Sequence, residues 1–271
     1  MKQSFRERFI QAAATHSPFC LGFDPSPAML EAWKLPVSTK GLAACCEKLT
    51  HIIDGKVTII KPQMAYFEAF GGEGILILQD FIAHMRAQGV LVLLDAKRGD
   101  IGPTMEAYSR AYFADDAPMR VDAITINGFL GIKALMPAIE AAHRHHAAVF
   151  VVVRSSNPEG SWLQQAITDN GKTVAERMAI EIEEINQQLP VMGAVLGATN
   201  IKEALHLQQL MPSAFILSPG LGSQGASAND LQPLLKNGLI IPTASRSLWQ
   251  GSAQPEELLE RLQDYQHAFC C

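Results

Sequence analysis

An aspartate and a lysine two residues apart follow a short apolar run, and both side chains are suited to acid–base chemistry. Residues 90–94 read Val-Leu-Val-Leu-Leu, a pattern typical of a strand buried on both faces of a parallel sheet. Asp95 and Lys97 come next, and side chains two apart leave a strand on the same face. Asp100 follows a turn that we place at residues 98–99, where the strand should end.

Two interpretations of this stretch are open. Two carboxylates around one ammonium are costly to bury unless they pair with one another or with a ligand. The stretch is therefore either a structural salt-bridge cluster at a strand end or part of a catalytic site. The rest of the chain favours the catalytic interpretation.

Apolar strands and helices alternate along the chain. An opening helix is predicted within residues 1–17, and strands are predicted at 19–25, 57–62, 90–95, 122–127, 148–153, 193–198, 214–218 and 239–243. Helices are predicted after them at 38–55, 74–88, 104–113, 133–146, 173–189, 201–210, 229–236 and 255–267. Eight such repeats in about 250 residues predict a single-domain (β/α)₈ barrel, with a doubly wound open sheet as the alternative. No linker divides residues 1–271, and the polar stretch 157–171 is a candidate lid.

Polar residues stand at the ends of most predicted strands. The carboxyl ends of barrel strands open at one face, which is where barrel enzymes carry their active sites. The residues at these ends are Asp24, Lys61, Asp95 with Lys97, Thr125 with Asn127, Ser155 with Ser156, and Arg246. Because side chains of both charges come from separate strands, we predict an active site at this face rather than unrelated charged residues at the edge of the barrel.

A glycine-rich loop and an arginine follow the last two strands. Gly220, Gly222 and Gly225 permit a loop whose backbone N–H groups face an anion, and Arg246 adds a two-pronged contact. The spacing also satisfies a dinucleotide fingerprint, but that motif belongs early in a chain, with an acidic residue about 20 positions later. Its late position and Arg246 favour a phosphate site.

Composition limits the remaining functions. A net charge of −5 argues against general nucleic-acid binding, and no apolar run is long enough to span a membrane. The first residues lack the apolar core of a signal peptide, so we expect a cytoplasmic protein. The five cysteines, an odd number, include no C-x-x-C pair, and no metal site is predicted.

The assembled motifs resemble those of the orotidine 5′-phosphate decarboxylase family, in its longer bacterial branch. The most specific is Asp95-x-Lys97-x-x-Asp100-Ile101 with Thr104 close behind. Supporting motifs run in order from about residue 19 to 247, and they are LGFDPSP, IIKPQMAYFE, RSSNPEG, PGLGSQG and ASRS. The resemblance implies decarboxylation of orotidine 5′-monophosphate without metal or organic cofactor, by a homodimer with shared active sites.

The resemblance also implies a role for each matched residue. The catalytic set is Lys97 as proton donor to the ring carbon, Asp95 beside the substrate carboxylate, Lys61 holding Asp95, and Asp100. The implied substrate contacts are Asp24 at the ribose, Thr104 with Asp100 reaching the neighbouring subunit's site, Ser156 at the pyrimidine, and Gly220, Gly222, Gln224, Gly225 and Arg246 at the phosphate.

Three other functions stay open on the sequence. Magnesium-dependent sugar-phosphate decarboxylases or synthases share the barrel and a similar Asp-x-Lys motif. A Schiff-base aldolase would use Lys61 or Lys97 as its nucleophile. A catalytically silent nucleotide-binding protein is the third, although binding alone would not favour a carboxylate facing an anionic ligand.

Overall fold

Eight parallel strands close into a barrel in chain order, in the computed structural model of the protein. The structure describes residues 2–198, 201–222, 227–236, 239–249 and 254–269. The strands are β1 (Cys20–Phe23), β2 (Ile59–Pro62), β3 (Leu91–Arg98), β4 (Ala123–Asn127), β5 (Ala148–Arg154), β6 (Met192–Leu196), β7 (Phe215–Pro219) and β8 (Ile240–Ala244). Each pairs with the next and β8 pairs with β1, which confirms the predicted barrel and excludes an open sheet.

Helices surround the barrel. They are α1 (Phe5–His16), α2 (Pro27–Ala32), α3 (Thr39–Ile53), α4 (Ala65–Glu68), α5 (Gly71–Ala87), α6 (Gly102–Phe113), α7 (Met136–Arg144), α8 (Ser161–Gln164), α9 (Val174–Asn186), α10 (Ile201–Leu210), α11 (Ala228–Leu235), α12 (Arg246–Trp249) and α13 (Pro255–Ala268). The short helices α2, α4, α8 and α12 were not predicted from the sequence. No helix within the described ranges is both long and apolar enough to cross a membrane.

Helix α1 closes the amino-terminal end of the barrel. It begins with a capping box, in which Ser4 and Glu7 satisfy each other's backbone N–H groups. Its Phe5 and Phe9 insert among the inward-facing strand residues, and the ring centroids lie 5.3 and 5.4 Å from that of Phe215. The buried aromatic packing at this end leaves the carboxyl ends of the strands as the open face.

The seam between the first and last strands has a short ladder. β1 and β8 are joined through two residue pairs, whereas β4 and β5 share five. A Cβ on Gly22 would lie 2.7 Å from the carbonyl oxygen of Ala244, so this approach requires glycine. Trp249 of α12 donates from Nε1 to the carbonyl oxygen of Gly22 at 2.7 Å, and Tyr265 of α13 stacks on Phe19 with centroids 5.0 Å apart. The seam is therefore reinforced by the last two helices.

Strand β3 extends further than the sequence predicted. It continues through Arg98, which pairs with Ile126, instead of ending in a turn at residues 98–99. The register with β4 shifts between Leu94 and Arg98, and Lys97 has a φ of +46°. The sequence did not predict this irregular strand, because the composition of residues 98–99 is typical of a turn.

Candidate active site

The carboxylate of Asp95 is the centre of a hydrogen-bonded cluster at the open face. Lys97 Nζ donates to Oδ1 at 2.6 Å, and Lys61 Nζ donates to Oδ2 at 2.8 Å. The Thr125 hydroxyl donates to Oδ1 at 2.8 Å, and the Gln63 amide donates to Oδ2 at 3.2 Å. Each carboxylate oxygen therefore accepts two hydrogen bonds, which fixes the plane of the group.

Three adjacent strands position these side chains. Lys61 belongs to β2, Asp95 to β3 and Thr125 to β4, and parallel pairing brings their carboxyl ends together. Beyond β2, Gln63 forms an isolated parallel bridge with Asp95. The Thr125 hydroxyl also accepts from the backbone N–H of Lys97 at 3.0 Å. Thr125 thus holds both the carboxylate and the peptide that carries the second ammonium.

Charges of opposite sign alternate through this site, and we call Asp24, Lys61, Asp95 and Lys97 the charge cluster. Burial by itself would raise the pKa of Asp95, but the ammonium groups of Lys61 and Lys97 outweigh it and hold that pKa well below its usual range. Burial would likewise lower the pKa of Lys61, but the carboxylates of Asp95 and Asp24 raise it above its usual range. Asp95 and Lys61 are therefore both charged at neutral pH.

The charge cluster borders a cavity of about 380 Å³ that opens to solvent. Asp24, Asp95 and Lys97 line it together with residues of α4. The Lys97 side chain is 49% exposed, whereas Lys61 and Asp95 are buried. Asp24 Oδ1 is buried and has no hydrogen-bond partner within the described part of the chain. A ligand in the cavity would meet the partly exposed ammonium of Lys97 and one carboxylate oxygen of Asp24 that lacks a described donor.

Ser156 lies at the carboxyl end of β5, in a segment with its own side-chain network. A Cβ on Gly197 would lie 2.6 Å from the Ser156 Cα, so the residue that follows β6 must be glycine where this segment passes it. Arg154 Nε donates to both carboxylate oxygens of Glu203 at 3.0 Å, and its Nη1 donates to Gln164 Oε1 at 3.0 Å. The predicted lid, residues 157–171, thus begins in a turn anchored to α10.

The loops after β7 and β8 meet as expected for an anion site. Gly220 and Gly222 have φ values of +118° and +71°, which favour glycine. A Cβ on Gly222 would lie 2.7 Å from Ser247 Oγ, so the two loops are in contact. Arg246 is exposed at the first position of α12. Gln224 and Gly225 lie outside the described residues.

Asp100 and Thr104 do not join the charge cluster within one chain. Asp100 Oδ1 accepts from the backbone N–H of Ile101 at 2.8 Å, and Thr104 is exposed in the first turn of α6. Neither makes a described hydrogen bond or ion pair with the charge cluster. Their predicted roles therefore depend on a second subunit.

Two residues at the centre of the site were not predicted as site residues. Gln63 lies just past the end of β2, and Thr125 was noted only as a strand-end residue. Only the position of these two residues near strand ends could have indicated them, since an amide and a hydroxyl near strand ends are common in any barrel. Within the described ranges, no group of three or more His, Cys, Asp or Glu residues has an arrangement that could hold a metal ion.

Comparison with known proteins gives one consistent family. Residues 17–261 match the Orotidine 5'-phosphate decarboxylase / HUMPS family. The orotidine 5′-phosphate decarboxylase of Myxococcus xanthus is 41% identical over 268 residues, covering 96% of this chain and 93% of that protein. The enzyme of the same name from Salinispora tropica is 39% identical over 251 residues, covering 91% of this chain and 90% of that protein.

Solved structures agree with the sequence matches. A crystal structure of a Streptomyces avermitilis protein assigned as orotidine 5′-phosphate decarboxylase has a TM-score of 0.92 and 33% identity, covering 99% of this chain and 95% of that chain. The OMP decarboxylase of Leishmania donovani has a TM-score of 0.78 and 27% identity, covering 99% of both chains. The shared fold thus extends over almost the whole barrel.

Proposed function

The chain belongs to the orotidine 5′-phosphate decarboxylase / HUMPS family, and we propose that it converts orotidine 5′-monophosphate to uridine 5′-monophosphate with Lys97 as the proton donor. This is the last step in making the pyrimidine nucleotide. The observation that supports the mechanism most is the charge cluster, in which Asp95 lies between two ammonium groups beside an open cavity.

The chemistry requires a cation beside the reacting carbon. When the bond to the carboxylate breaks, its electron pair stays on the ring carbon in the plane of the ring, out of conjugation with the ring carbonyls. Lys97 Nζ offers a positive charge next to that pair and then gives it a proton, leaving a neutral amine and a C–H bond. Half of the Lys97 side chain is exposed to the cavity side, which gives it access to substrate.

Asp95 and Lys61 have complementary roles in this mechanism. Asp95 remains charged and faces the substrate carboxylate, so the repulsion between them is relieved when carbon dioxide leaves. Lys61, Thr125 and Gln63 hold the Asp95 carboxylate so that it cannot turn away. Asp24 contributes a free carboxylate oxygen for the ribose hydroxyls.

Substrate phosphate is held by the loops after β7 and β8. Gly220 and Gly222 bring backbone N–H groups to the anion, and Arg246 supplies a guanidinium, with Gln224 and Gly225 completing the proposed phosphate contacts, while Ser156 contacts the pyrimidine. We expect Arg246→Ala to raise KM by about 100-fold, because a hydrogen bond between charged groups is worth about 1.5–3 kcal/mol. Steady-state kinetics on the purified variant measure this. An unchanged KM would contradict the proposed phosphate site.

The function itself is tested by the ultraviolet absorbance of orotidine 5′-monophosphate in the presence of EDTA. Rapid loss of absorbance with formation of uridine 5′-monophosphate is the expected result. The absence of both substrate turnover and product-nucleotide binding would favour the magnesium-dependent sugar-phosphate chemistry instead. Binding of the product nucleotide without turnover would favour a silent binding protein.

The active sites are shared between two copies of the chain in this proposal. Exposed apolar side chains follow β3, at Ile101 beside Asp100, and β4, at Phe129 and Leu130. Such a patch at the open face is typical of a protein interface. A homodimer through this patch would bring Asp100 and Thr104 to the partner's charge cluster.

Mixing two inactive variants tests the shared site. In a dimer of one Lys97→Ala subunit and one Asp100→Ala subunit, one of the two sites has both native residues if Asp100 acts across the interface. Random exchange of subunits should then restore about one quarter of the wild-type activity. No restoration, when exchange is verified with tagged subunits, would place the action of Asp100 in its own subunit.

The cysteines support a cytoplasmic location. Cys20, Cys45 and Cys46 are free and buried, and burial raises the pKa of Cys20 and Cys45 to about 12. Buried neutral thiols of this kind are unreactive and fit a reducing compartment. Cys270 and Cys271 lie outside the described residues.

A further inference from the structure

Lys97 takes an unusual backbone conformation for the residue that must reach the reacting carbon. Its φ of +46° lies in the left-handed region that few residues other than glycine adopt. Its long side chain is 49% exposed and therefore not fixed by packing. The direction of the ammonium therefore depends on its bond to Asp95 Oδ1, at 2.6 Å, and on how firmly the neighbouring backbone is held.

The next residue, Arg98, is held on three sides. Its Nη2 donates to Glu68 Oε1, its Nε donates to the Tyr112 hydroxyl at 3.4 Å, and its guanidinium lies 5.8 Å from the centroid of the Tyr108 ring. The two tyrosines are one turn apart on α6 and so present the same face. Arg98 thereby links the end of β3 to α6 and, through Glu68, to α4.

Glu68 belongs to the wall of the active-site cavity. It ends α4, and it lines the same cavity as Asp95 and Lys97. The start of this segment is also tied to the charge cluster, because the backbone N–H of Met64 donates to the carbonyl oxygen of Asp95 at 3.2 Å. The ion pair between Arg98 and Glu68 thus spans the cavity edge from β3 to α4.

We propose that Arg98 and Glu68 are positioning residues that aim the Lys97 ammonium, an inference that rests on the proposed function. On the N-terminal side of Lys97, the backbone is fixed by the hydrogen bond from the Lys97 N–H to Thr125 Oγ1, at 3.0 Å. On the C-terminal side, it is fixed by the contacts that the Arg98 side chain makes with α4 and α6. Gly99 packs so closely that a Cβ there would lie 2.7 Å from the Asn127 carbonyl oxygen, which leaves the backbone little room to rotate.

Loss of a positioning residue lowers kcat, whereas loss of a structural residue lowers the stability of the fold. The side chains of Arg98 and Glu68 are 25% and 42% exposed, and ion pairs at that depth add little to folding stability. Lys97 acts on charge that develops only in the transition state, so misplacing its ammonium lowers kcat while substrate contacts, and therefore KM, are kept. A displacement of about 1 Å can cost about 100-fold in rate.

The test compares Arg98→Met, Arg98→Lys and Glu68→Ala with Arg110→Met. Arg110 is on α6, the helix that Arg98 contacts, and it pairs with Asp116, but both side chains are largely exposed and Arg110 does not line the cavity. We expect Arg98→Met and Glu68→Ala to lower kcat by about 10- to 100-fold, with KM within about twofold and Tm nearly unchanged. Arg98→Lys should recover part of the loss, and Arg110→Met should behave as wild type.

Two results would overturn the proposal. One is an unchanged kcat in both Arg98→Met and Glu68→Ala. The other is a loss of kcat that appears only together with a raised KM and a lowered Tm, which indicates general loosening. The double variant adds a check, since residues acting through one contact should lose no more together than the worse single variant. Wild-type protein in the same assay separates this proposal from the proposed function, because a wild type without turnover contradicts the latter alone.

Discussion

Replacing Lys97 by alanine is expected to leave a folded protein that has lost almost all decarboxylase activity. The fold should survive because the side chain is half exposed and because Asp95 keeps its bonds to Lys61, Thr125 and Gln63. The chemistry should not survive, because no other ammonium in the described part of the cavity wall is free to approach the substrate.

The size of the loss follows from two effects. Two unit charges about 4 Å apart interact by about 4 kcal/mol at an effective dielectric near 20, which is roughly a thousandfold in rate if felt only in the transition state. Proton donation by a positioned group contributes about 10²- to 10⁴-fold more. We therefore expect Lys97→Ala to lower kcat by at least about 10⁵-fold.

Absorbance decay of orotidine 5′-monophosphate measures the rate, and calorimetric titration with uridine 5′-monophosphate shows whether the site still binds nucleotide. Lys97→Arg is the matched variant, since a guanidinium keeps the charge but does not release a proton at neutral pH. It should remain far less active than wild type. Turnover by Lys97→Ala within tenfold of wild type would refute the role of this lysine.

Asp95→Asn is expected to cost both activity and stability. The amide keeps the shape of the carboxylate but leaves the buried Lys61 ammonium without its main counter-charge. Removing one partner of a buried ion pair typically destabilises a protein by about 3–5 kcal/mol. Activity should fall by several orders of magnitude, because the charge that faces the substrate carboxylate is gone.

A second substitution separates the two losses. Lys61→Met in the Asp95→Asn background removes the uncompensated charge with a side chain of similar length, so the free energy of unfolding should recover toward that of wild type. Activity should not recover. Urea unfolding and the absorbance assay on the single and double variants measure these effects. Equal stability of Asp95→Asn and wild type at neutral pH would show that the ion pair does not stabilise the fold.

The contribution of the Asp95 carboxylate to folding stability depends on pH. The folded-state pKa of Asp95 is held below the ordinary value of about 3.9 by Lys61 and Lys97. Its contribution is therefore complete above about pH 5 and is lost progressively as the pH falls through the unfolded-state value toward the lower folded-state pKa. The difference in unfolding free energy between wild type and Asp95→Asn should accordingly be smaller at pH 3 than at pH 6.

The sequence predicted the barrel and the centre of its site for a physical reason. Strands buried on both faces are continuous apolar runs, so a charged residue at the end of one is conspicuous, as with Lys61 and Asp95. In a closed barrel of parallel strands, the carboxyl ends of all strands lie at the same face, so these charged residues come together. The convergence of the charge cluster thus follows from strand boundaries alone.

Other features depended on contacts that composition does not encode. The left-handed backbone conformation of Lys97 lies within a register shift between β3 and β4, and the residue pattern of neither strand predicts it. The contact of Glu68 with Arg98 joins residues 30 positions apart through a short helix that has no clear periodic pattern. The action proposed for Asp100 and Thr104 depends on contacts with a second copy of the chain, and such contacts follow neither from one sequence nor from one subunit.

The seam between β1 and β8 has a consequence for synthesis on the ribosome. β1 emerges early, yet the strand that completes its second edge is the last of the eight. Until β8 and the supporting helices α12 and α13 have left the exit tunnel, β1 offers an unpaired edge to any other strand. Closure of the barrel is thus a late step, before which a partly built sheet must be kept from pairing with other strands. The two residue pairs between β1 and β8 are thus the contact that completes the barrel.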